Sequence, residues 1–299
     1  MKYIDRKGNV TAEENGQDKF LRHLYQDWGG KLLLGVLTRP FVSVFGGLLL
    51  NLPVSAMAVP GFVRRNHISM EDYEEQKYHS YNEFFTRRIK KGRRPIASGP
   101  GVLISPCDGK VTVSVIEKDS TFWIKGRRYT LGDLLRDQSL ARRFCGGYAY
   151  VIRLTVDDYH RYCYPADGVQ SSIRRIKGRY HTVNPAANEA CPIYSENTRE
   201  YALLQTMGMG TFLMMEVGAM LVGKITNLYP MPRLVHKGQE KGYFEFGGST
   251  VVLLTGPDGP RPDSDLLEYS REGYEIYLKM GEQIGKQDQL SKKAGRSDR

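Results

Sequence analysis

The chain contains 299 residues, 40% of them hydrophobic and 25% charged, which is enough apolar material for one large globular core. The formal net charge of +10 favours an anionic partner, whether a lipid headgroup, a nucleic acid or a phosphorylated metabolite. The cysteines are too widely spaced for a Cys-x-x-Cys zinc module or a disulfide framework, and they favour a reducing, cytoplasmic setting: Cys107, Cys145, Cys163 and Cys191.

The first 80 residues carry the apolar segments that look least like part of a globular core. An uncharged stretch covers residues 40–63, but its prolines divide it into pieces shorter than the ~20 apolar residues of a membrane-spanning helix. The pieces Lys31–Thr38 and Phe41–Leu50 fit helices lying in a membrane interface, with a helical pair packed on the protein itself as the alternative. The sequence therefore predicts an N-terminal helical, membrane-interfacial region over residues 1–80.

A basic segment follows this region. Ser69-Met-Glu-Asp72 resembles a capping box, and roughly helical apolar spacing continues from Tyr73 to Phe85. The segment ends in a run of basic residues from Arg87 to Arg94. Such a run is usually a solvated face, but beside an interfacial segment it can also hold anionic lipid, at ~1 kcal/mol for each cation.

From Gly101 onward the pattern changes to that of strands. Segments rich in β-branched, aromatic and aliphatic residues are separated by Gly and Pro: Gly101–Ser105, Lys110–Glu117, Tyr148–Val156, Phe212–Tyr229 and Tyr243–Leu254. The predicted fold class is therefore α+β, with a mostly β domain over residues 81–284. The polar residues 285–299 are predicted to form a disordered tail.

The segment Gly247-Gly248-Ser249-Thr250 carries distinctive chemistry. Two glycines allow backbone conformations closed to other residues, so that the Ser249 hydroxyl can approach the carbonyl carbon of Gly248. Attack there converts the Gly248–Ser249 amide into an ester, and elimination across Ser249 breaks the chain. Hydrolysis of the resulting dehydroalanine leaves a pyruvoyl N-terminus. Taken alone, the same four residues also fit a tight turn between strands.

The surrounding motifs resemble the phosphatidylserine decarboxylase family over roughly residues 75–260. Lys237-Gly238 and a later glycine–aromatic pair precede the Gly-Ser-Thr sequence, as they do at that family's processing site. Further motifs of the family follow in the same order and with similar spacing: Ser80–Arg87, Arg94-Pro95-Ile96, Ser105–Val111, Asp158–Tyr162, Val183-Asn184-Pro185, Glu196–Glu200 and Val217–Gly223. Together these motifs are far more specific than any one of them.

The resemblance implies a self-processing enzyme whose catalytic domain is the predicted β domain. The chain would be cleaved between Gly248 and Ser249 into a larger chain, residues 1–248, and a smaller chain, residues 249–299. Ser249 would become a pyruvoyl group, which forms a Schiff base with the amine of phosphatidylserine and accepts the electrons released as carbon dioxide departs. The product would be phosphatidylethanolamine, and neither an external cofactor nor a metal is expected.

The resemblance also assigns roles to individual residues. Asp108 would belong to an Asp-His-Ser relay for self-cleavage, although Asp-Gly is also a routine turn. His160 would polarise the substrate or protonate the carbon that loses carbon dioxide. Many members carry a second histidine three residues later as the relay base, whereas this chain has Cys163 there. His181 is assigned a structural role by default, with lining of the substrate channel, and so substrate binding, as the alternative.

Several candidates for the base of self-cleavage stay open. Cys163 would need a thiol pKa lowered by a neighbour such as Arg161, and its alternative role is that of a small buried hydrophobe. His160, which we favour, would serve both self-cleavage and decarboxylation. His236, a candidate for substrate binding, would instead approach Ser249.

Two other functions fit part of the sequence. A serine hydrolase would use Asp108, His160 and Ser249 in that order, but Ser249 lacks the Gly-x-Ser-x-Gly elbow. An inactive lipid-binding relative would keep the basic interfacial region without processing. Nucleic-acid binding is not predicted, because the basic run carries no recognition motif.

The expected partners are phosphatidylserine and an anionic membrane surface. The first thirty residues lack the basic-then-apolar order of a signal peptide, so we expect a peripheral protein on the cytoplasmic face of the cell membrane. The family resemblance further implies a homodimer.

Overall fold

The structure is a computed structural model that describes residues 2–12, 34–35, 38–124, 127–183, 187–188, 191–219, 224–245, 247 and 249–287. Most of these residues lie in β-strands and the loops between them, and the helices are short. None of the helices in these ranges is long and apolar enough to cross a bilayer. The prediction of a mostly β domain is therefore confirmed.

The strands share short lengths, from two to eight residues. In chain order they are β1 (Lys2–Ile4), β2 (Val10–Ala12), β3 (Val102–Ile104), β4 (Gly109–Val115), β5 (Thr121–Ile124), β6 (Arg127–Thr130), β7 (Tyr148–Leu154), β8 (Arg161–Cys163), β9 (Gly168–Gln170), β10 (Arg174–Ile176), β11 (Arg199–Thr206), β12 (Thr211–Val217), β13 (Ile225–Asn227), β14 (Arg233–Val235), β15 (Glu240–Phe244), β16 (Ser249–Thr255), β17 (Arg261–Pro262), β18 (Glu275–Leu278) and β19 (Gln283–Lys286).

The α-helices with bounds in the described residues are α1 (Pro40–Leu50), α2 (Val59–Arg65), α3 (Tyr81–Phe85), α4 (Leu131–Leu135), α5 (Gln138–Arg142), α6 (Ile193–Glu196) and α7 (Ser264–Arg271). Two 3₁₀ segments, Pro53–Ala58 and Met70–Asp72, accompany the first helices.

One large sheet organises the molecule, with eleven strands in the order β14-β9-β11-β12-β16-β7-β4-β18-β1-β2 and with β10 also paired to β11. Its neighbouring strands are antiparallel, except that β1 runs parallel to β18. Smaller sheets have the orders β13-β15-β8, β17-β19-β3 and β5-β6.

Strands β12, β16 and β7 form the centre of the large sheet. All seven residues of β16 are buried, and its nearly continuous apolar sequence is typical of a strand covered on both faces. Helix α7 packs on β4 and β18, while Tyr162 of β8 and Phe244 of β15 join the same buried cluster as the central strands. The strand that begins with Ser249 therefore lies in the middle of the core.

The N-terminal region differs in part from the prediction. Strands β1 and β2 belong to the large sheet, so residues 2–12 are not part of a separate helical region. Their short sequences carry no apolar run, and β1 is held by its pairing with β18, which lies about 270 residues later along the chain. The helix predicted over Phe41–Leu50 is confirmed as part of α1. Most of Lys31–Thr38 lies outside the described residues.

The helix predicted to start at the Ser69 capping box is wrong in its position. Met70–Asp72 form a 3₁₀ turn, and Tyr73 is extended and pairs with Ile89. The helix begins later, where the Ser80 hydroxyl accepts a hydrogen bond from the backbone N–H of Glu83 at the start of α3. Ser-x-x-Glu is itself a capping box, so this second, overlooked motif sets the helix start.

The last strand, β19, extends beyond the predicted end of the β domain. Strand β19 pairs with β3 and ends at Lys286, so the boundary predicted after residue 284 falls inside a strand. The rest of the predicted tail, residues 288–299, lies outside the described residues.

Candidate active site

The residues predicted for the site gather mainly at one end of the large sheet. Ser249 opens β16 and pairs with Leu154 at the end of β7, while Thr250 pairs with Val217, the last residue of β12. Gly109 opens β4 and pairs with Leu278, the last residue of β18. Because antiparallel neighbours bring strand starts and strand ends together, these residues share one end, which we call the Ser249 end.

Ser249 is fully buried, and among the described residues its Oγ has no hydrogen-bond partner. Gly247, two residues earlier, has φ +131, which side chains of L-residues rarely tolerate. Gly248, on the other side of the predicted cleavage site, lies outside the described residues. A buried hydroxyl without a partner costs free energy, and a chemical role is one of the explanations for such a group in a native structure.

Asp108 lies immediately before β4, and its carboxylate is fully engaged. Arg94 donates to it from Nε at 2.9 Å and from Nη2 at 2.6 Å, and the backbone N–H of Met280 donates at 2.8 Å. Among the hydrogen bonds of the described residues, none joins Asp108 to His160 or to Ser249. The structure therefore shows an Asp108–Arg94 pair where the predicted Asp-His-Ser relay would need an Asp–His contact.

Gly109 explains why an Asp-Gly sequence occurs here. Its φ is +150, and a Cβ at this position would lie 2.7 Å from the carbonyl oxygen of Arg153 on the neighbouring strand β7. The absence of a side chain lets β4 and β7 approach each other beside Asp108.

We expect Gly109→Ala to lower the free energy of unfolding by about 1–3 kcal/mol, because the methyl group meets backbone and the φ is strained. Urea unfolding with circular dichroism, in the Ser249→Ala background so that a single chain unfolds, would measure the change. Gly61→Ala is the control, since a Cβ there meets nothing within 4 Å and Ala is favoured over Gly inside α2. Equal losses in the two variants would contradict this interpretation of Gly109.

His160 is buried in the loop between β7 and β8, with its ring centroid 3.9 Å from that of Phe85. Burial, together with the nearby Arg87 guanidinium, lowers the pKa of His160 to about 3, so the imidazole is neutral. Its Nδ1 lies 3.0 Å from the carbonyl oxygen of Asp158. Since a carbonyl only accepts, Nδ1 carries the proton and Nε2 keeps its lone pair.

Cys163 does not meet the condition for a base. It packs in a buried cluster with Val102 and Ile104, and burial, followed by the charge of Asp108, raises the pKa of its thiol to about 12. Arg161, the predicted source of a lowered pKa, donates instead to Glu240 and to the carbonyl of Thr86. The structure favours the alternative of a small buried hydrophobe.

His236 lies at the opposite end of the sheet. Val235 pairs with Gly168, which pairs with Thr206 at the far end of β11, whereas Ser249 lies at the end where β11 begins. The His236 side chain is largely exposed, and its Nδ1 lies 3.4 Å from Asp167. The prediction that His236 approaches Ser249 is therefore wrong.

His181 is buried near the Ser249 end, and its Nε2 lies 3.2 Å from the carboxylate of Glu196. The Cys191 thiol completes a group of three side chains whose donor atoms lie within 4.8 Å of one another, a spacing compatible with a metal ion. Two of these three side chains, His181 and Glu196, are already in direct contact with each other.

Sequence reasoning gave no role to two residues that the structure makes prominent. Arg94 was part of a recognised motif, but nothing local showed that it would pair with Asp108, fourteen residues away. Glu196 likewise opens a recognised motif, yet its contact with His181 depends on the fold of the loop between them.

Comparisons with known proteins identify the family of the chain. Residues 81–286 match the family model described as phosphatidylserine decarboxylase. Phosphatidylserine decarboxylase proenzyme 2 of Clostridium acetobutylicum is 43% identical over 274 residues, covering 91% of this chain and 92% of the relative. The phosphatidylserine decarboxylase proenzyme of Fusobacterium nucleatum is 36% identical over 291 residues, covering 95% and 97%. That of Chlamydia felis is 35% identical over 292 residues, covering 96% and 98%. The chain belongs to the phosphatidylserine decarboxylase family.

Proposed function

We propose that the protein cleaves itself between Gly248 and Ser249 and then decarboxylates phosphatidylserine to phosphatidylethanolamine. The observation that carries this proposal is the buried Ser249 hydroxyl, which has no hydrogen-bond partner among the described residues and lies at the start of a central strand, directly after two glycines. The relatives' names, which include the word proenzyme, support the same activity.

The surroundings of Ser249 fit an internal reaction. Its strand is fixed by β12 and β7, so the hydroxyl is held while the chain before it, at Gly247, takes a conformation suited to glycine. A hydrolase that acts on external substrates needs an exposed serine, whereas this one is fully buried. The burial therefore favours attack on the chain's own carbonyl over hydrolysis of another molecule.

A pyruvoyl group made from Ser249 supplies a carbonyl that condenses with the headgroup amine and takes up the electrons released with carbon dioxide. His160 is the residue that we assign to proton transfer with the substrate. Its Nδ1–H is fixed on Asp158, so Nε2 faces the buried interior as an acceptor. Nε2 takes a proton from the headgroup amine and returns one to the carbon that loses carbon dioxide.

Binding at a membrane surface is part of the proposal, because substrate and product are both lipids. Apolar side chains of α1 and the following 3₁₀ segment face solvent, with Phe45 62% exposed and Met57 81% exposed. Arg64 and Arg65 end α2 close by and are exposed as well. An apolar surface beside cations suits an anionic bilayer.

We expect Met57→Asp to weaken binding to phosphatidylserine-containing vesicles at least tenfold. Burying a methionine side chain contributes about 1.5–3 kcal/mol, and about 1.4 kcal/mol corresponds to a factor of ten. Vesicle sedimentation would measure the affinity. Met207→Asp is the matched control, since Met207 is 72% exposed in the turn between β11 and β12. Equal binding by the two variants would contradict a membrane role for the 3₁₀ segment.

The proposed function is tested by intact mass and a denaturing gel of the purified protein, followed by an assay of carbon dioxide release from phosphatidylserine vesicles. The expected products are residues 1–248 and a smaller chain, residues 249–299, blocked at its N-terminus by a pyruvoyl group. A chain that stays whole on incubation and releases no carbon dioxide would overturn the proposal and favour a lipid-binding protein without activity.

A further inference from the structure

Self-cleavage needs a base near Ser249, and the usual second histidine of the family is replaced by Cys163. Two acid–histidine pairs occur in the described part of the chain, His181–Glu196 and His236–Asp167. The second pair lies at the opposite end of the sheet from Ser249. Of these two pairs, only His181–Glu196 therefore lies near the end of the sheet that contains Ser249.

Hydrogen bonds of the Asn197 side chain link the loop that contains His181 to the Ser249 end. Its Oδ1 accepts from the backbone N–H of His181, and its Nδ2 donates to the carbonyls of His181 and Gly218, each at 2.8 Å. Gly218 directly follows Val217, which pairs with Thr250. The backbone of His181 is thus bridged by one amide group to Gly218, the residue that follows the sheet partner of Thr250.

The neighbouring residue shows how tightly the loop packs there. A Cβ on Gly218 would lie 3.1 Å from the ring of Tyr180, and the backbone N–H of Gly218 donates to Thr198 at 2.9 Å. The loop that carries His181 is therefore in van der Waals contact with the end of β12, next to the start of β16.

The two buried histidines, His160 and His181, differ in the group that each imidazole ring contacts. Nδ1 of His160 meets a backbone carbonyl, which orients the ring but adds no charge. His181 meets the carboxylate of Glu196, which can stabilise an imidazolium once a proton arrives. Asp108 cannot give His160 this help, because its charge is already paired with Arg94.

We propose that His181, supported by Glu196, is the general base that activates Ser249 for self-cleavage. This inference rests on the proposed function, because it assigns a residue to the cleavage step. It replaces both the structural role expected for His181 from the sequence and the alternative role in the substrate channel.

The reaction balances with water as the only added reactant. His181 takes the proton of Ser249 Oγ as the new bond forms between Oγ and the carbonyl carbon of Gly248. The C–N bond then breaks, and the imidazolium returns the proton to the nitrogen of Ser249, which gives an ester. Loss of the Ser249 α-proton breaks the Cβ–Oγ bond and releases the Gly248 carboxylate, and water then converts the dehydroalanine to a pyruvoyl group and ammonia.

The experiment follows the conversion of freshly purified full-length proenzyme into two chains over time. General-base catalysis contributes about 10²–10⁴-fold, so His181→Ala should cleave at least 100-fold more slowly than the unaltered chain. His236→Ala is the matched control and should cleave at the unaltered rate. If the unaltered chain does not cleave, the proposed function itself fails. If it cleaves and His181→Ala cleaves equally fast, only the present inference fails.

Two rescue measurements separate a base from a structural residue. Free imidazole should accelerate cleavage of folded His181→Ala, because it supplies the missing group in the space left by the side chain. Cys163→His, introduced into His181→Ala, should restore cleavage by returning a histidine to the usual position. Failure of imidazole to accelerate cleavage of the folded variant would overturn the proposal. So would loss of cleavage in His160→Ala with full cleavage in His181→Ala.

Discussion

The Ser249→Ala protein should remain a single chain of 34.0 kDa and release no detectable carbon dioxide from phosphatidylserine. The substitution removes the oxygen that attacks Gly248 and so removes the source of the pyruvoyl group. Loss of a catalytic nucleophile costs a hydrolase about 10⁶-fold in rate, and here it also prevents formation of the reactive carbonyl. Intact mass and the carbon dioxide assay would measure both effects.

Folding should survive this change. The Ser249 hydroxyl has no partner among the described residues, so replacing it with a hydrogen leaves no hydrogen bond broken there. Ser139→Ala is the control, because Ser139 is exposed on α5 and should leave cleavage and activity unchanged. Two chains in a Ser249→Ala preparation would show that another residue is the nucleophile.

Arg94→Ala should lower the free energy of unfolding by about 3–5 kcal/mol, because it leaves the buried carboxylate of Asp108 without its cation. The two side chains are only 7% and 9% exposed, and the guanidinium reaches both carboxylate oxygens. The backbone N–H of Met280 alone cannot offset the charge. Urea unfolding should be measured in the Ser249→Ala background, so that a single chain unfolds.

Arg93→Ala provides the matched comparison. Arg93 is adjacent in sequence but 54% exposed, and its nearest carboxylate, on Asp72, lies at 3.5 Å. An exposed pair of this kind contributes up to about 1 kcal/mol. A loss at Arg93 equal to that at Arg94 would contradict the assignment of Asp108 and Arg94 as a buried ion pair.

The central strands were predictable because their sequences are unambiguous. The apolar run after Ser249 is the pattern of a strand buried on both faces, and the preceding glycines mark a special backbone. The gathering of Asp108, His160 and Ser249 at one end of the sheet was implied by the family motifs. Composition and spacing alone did not imply it.

Other features depend on contacts that local sequence does not encode. Strand β1 exists because β18 lies beside it, although the two are far apart in the chain. The Asp108–Arg94 and His181–Glu196 pairs each join separate loops. Because of them, the buried histidine that contacts a carboxylate is His181 and not His160. A lowered pKa of the Cys163 thiol would need a neighbouring cation such as Arg161, but that guanidinium is bound to Glu240.

The placement of β16 and β18 has a consequence for the processed protein. After cleavage, residues 249–299 would still supply β16 between β12 and β7, β18 between β4 and β1, and β19 beside β3. The two products are interlocked through strand ladders and cannot separate without dismantling the sheet. Before the cut, folding is unimolecular; after it, renaturation requires two chains to meet, so it depends on concentration. The uncut chain can refold without meeting another molecule, whereas the two products cannot. The fold must therefore be complete before the peptide bond is broken.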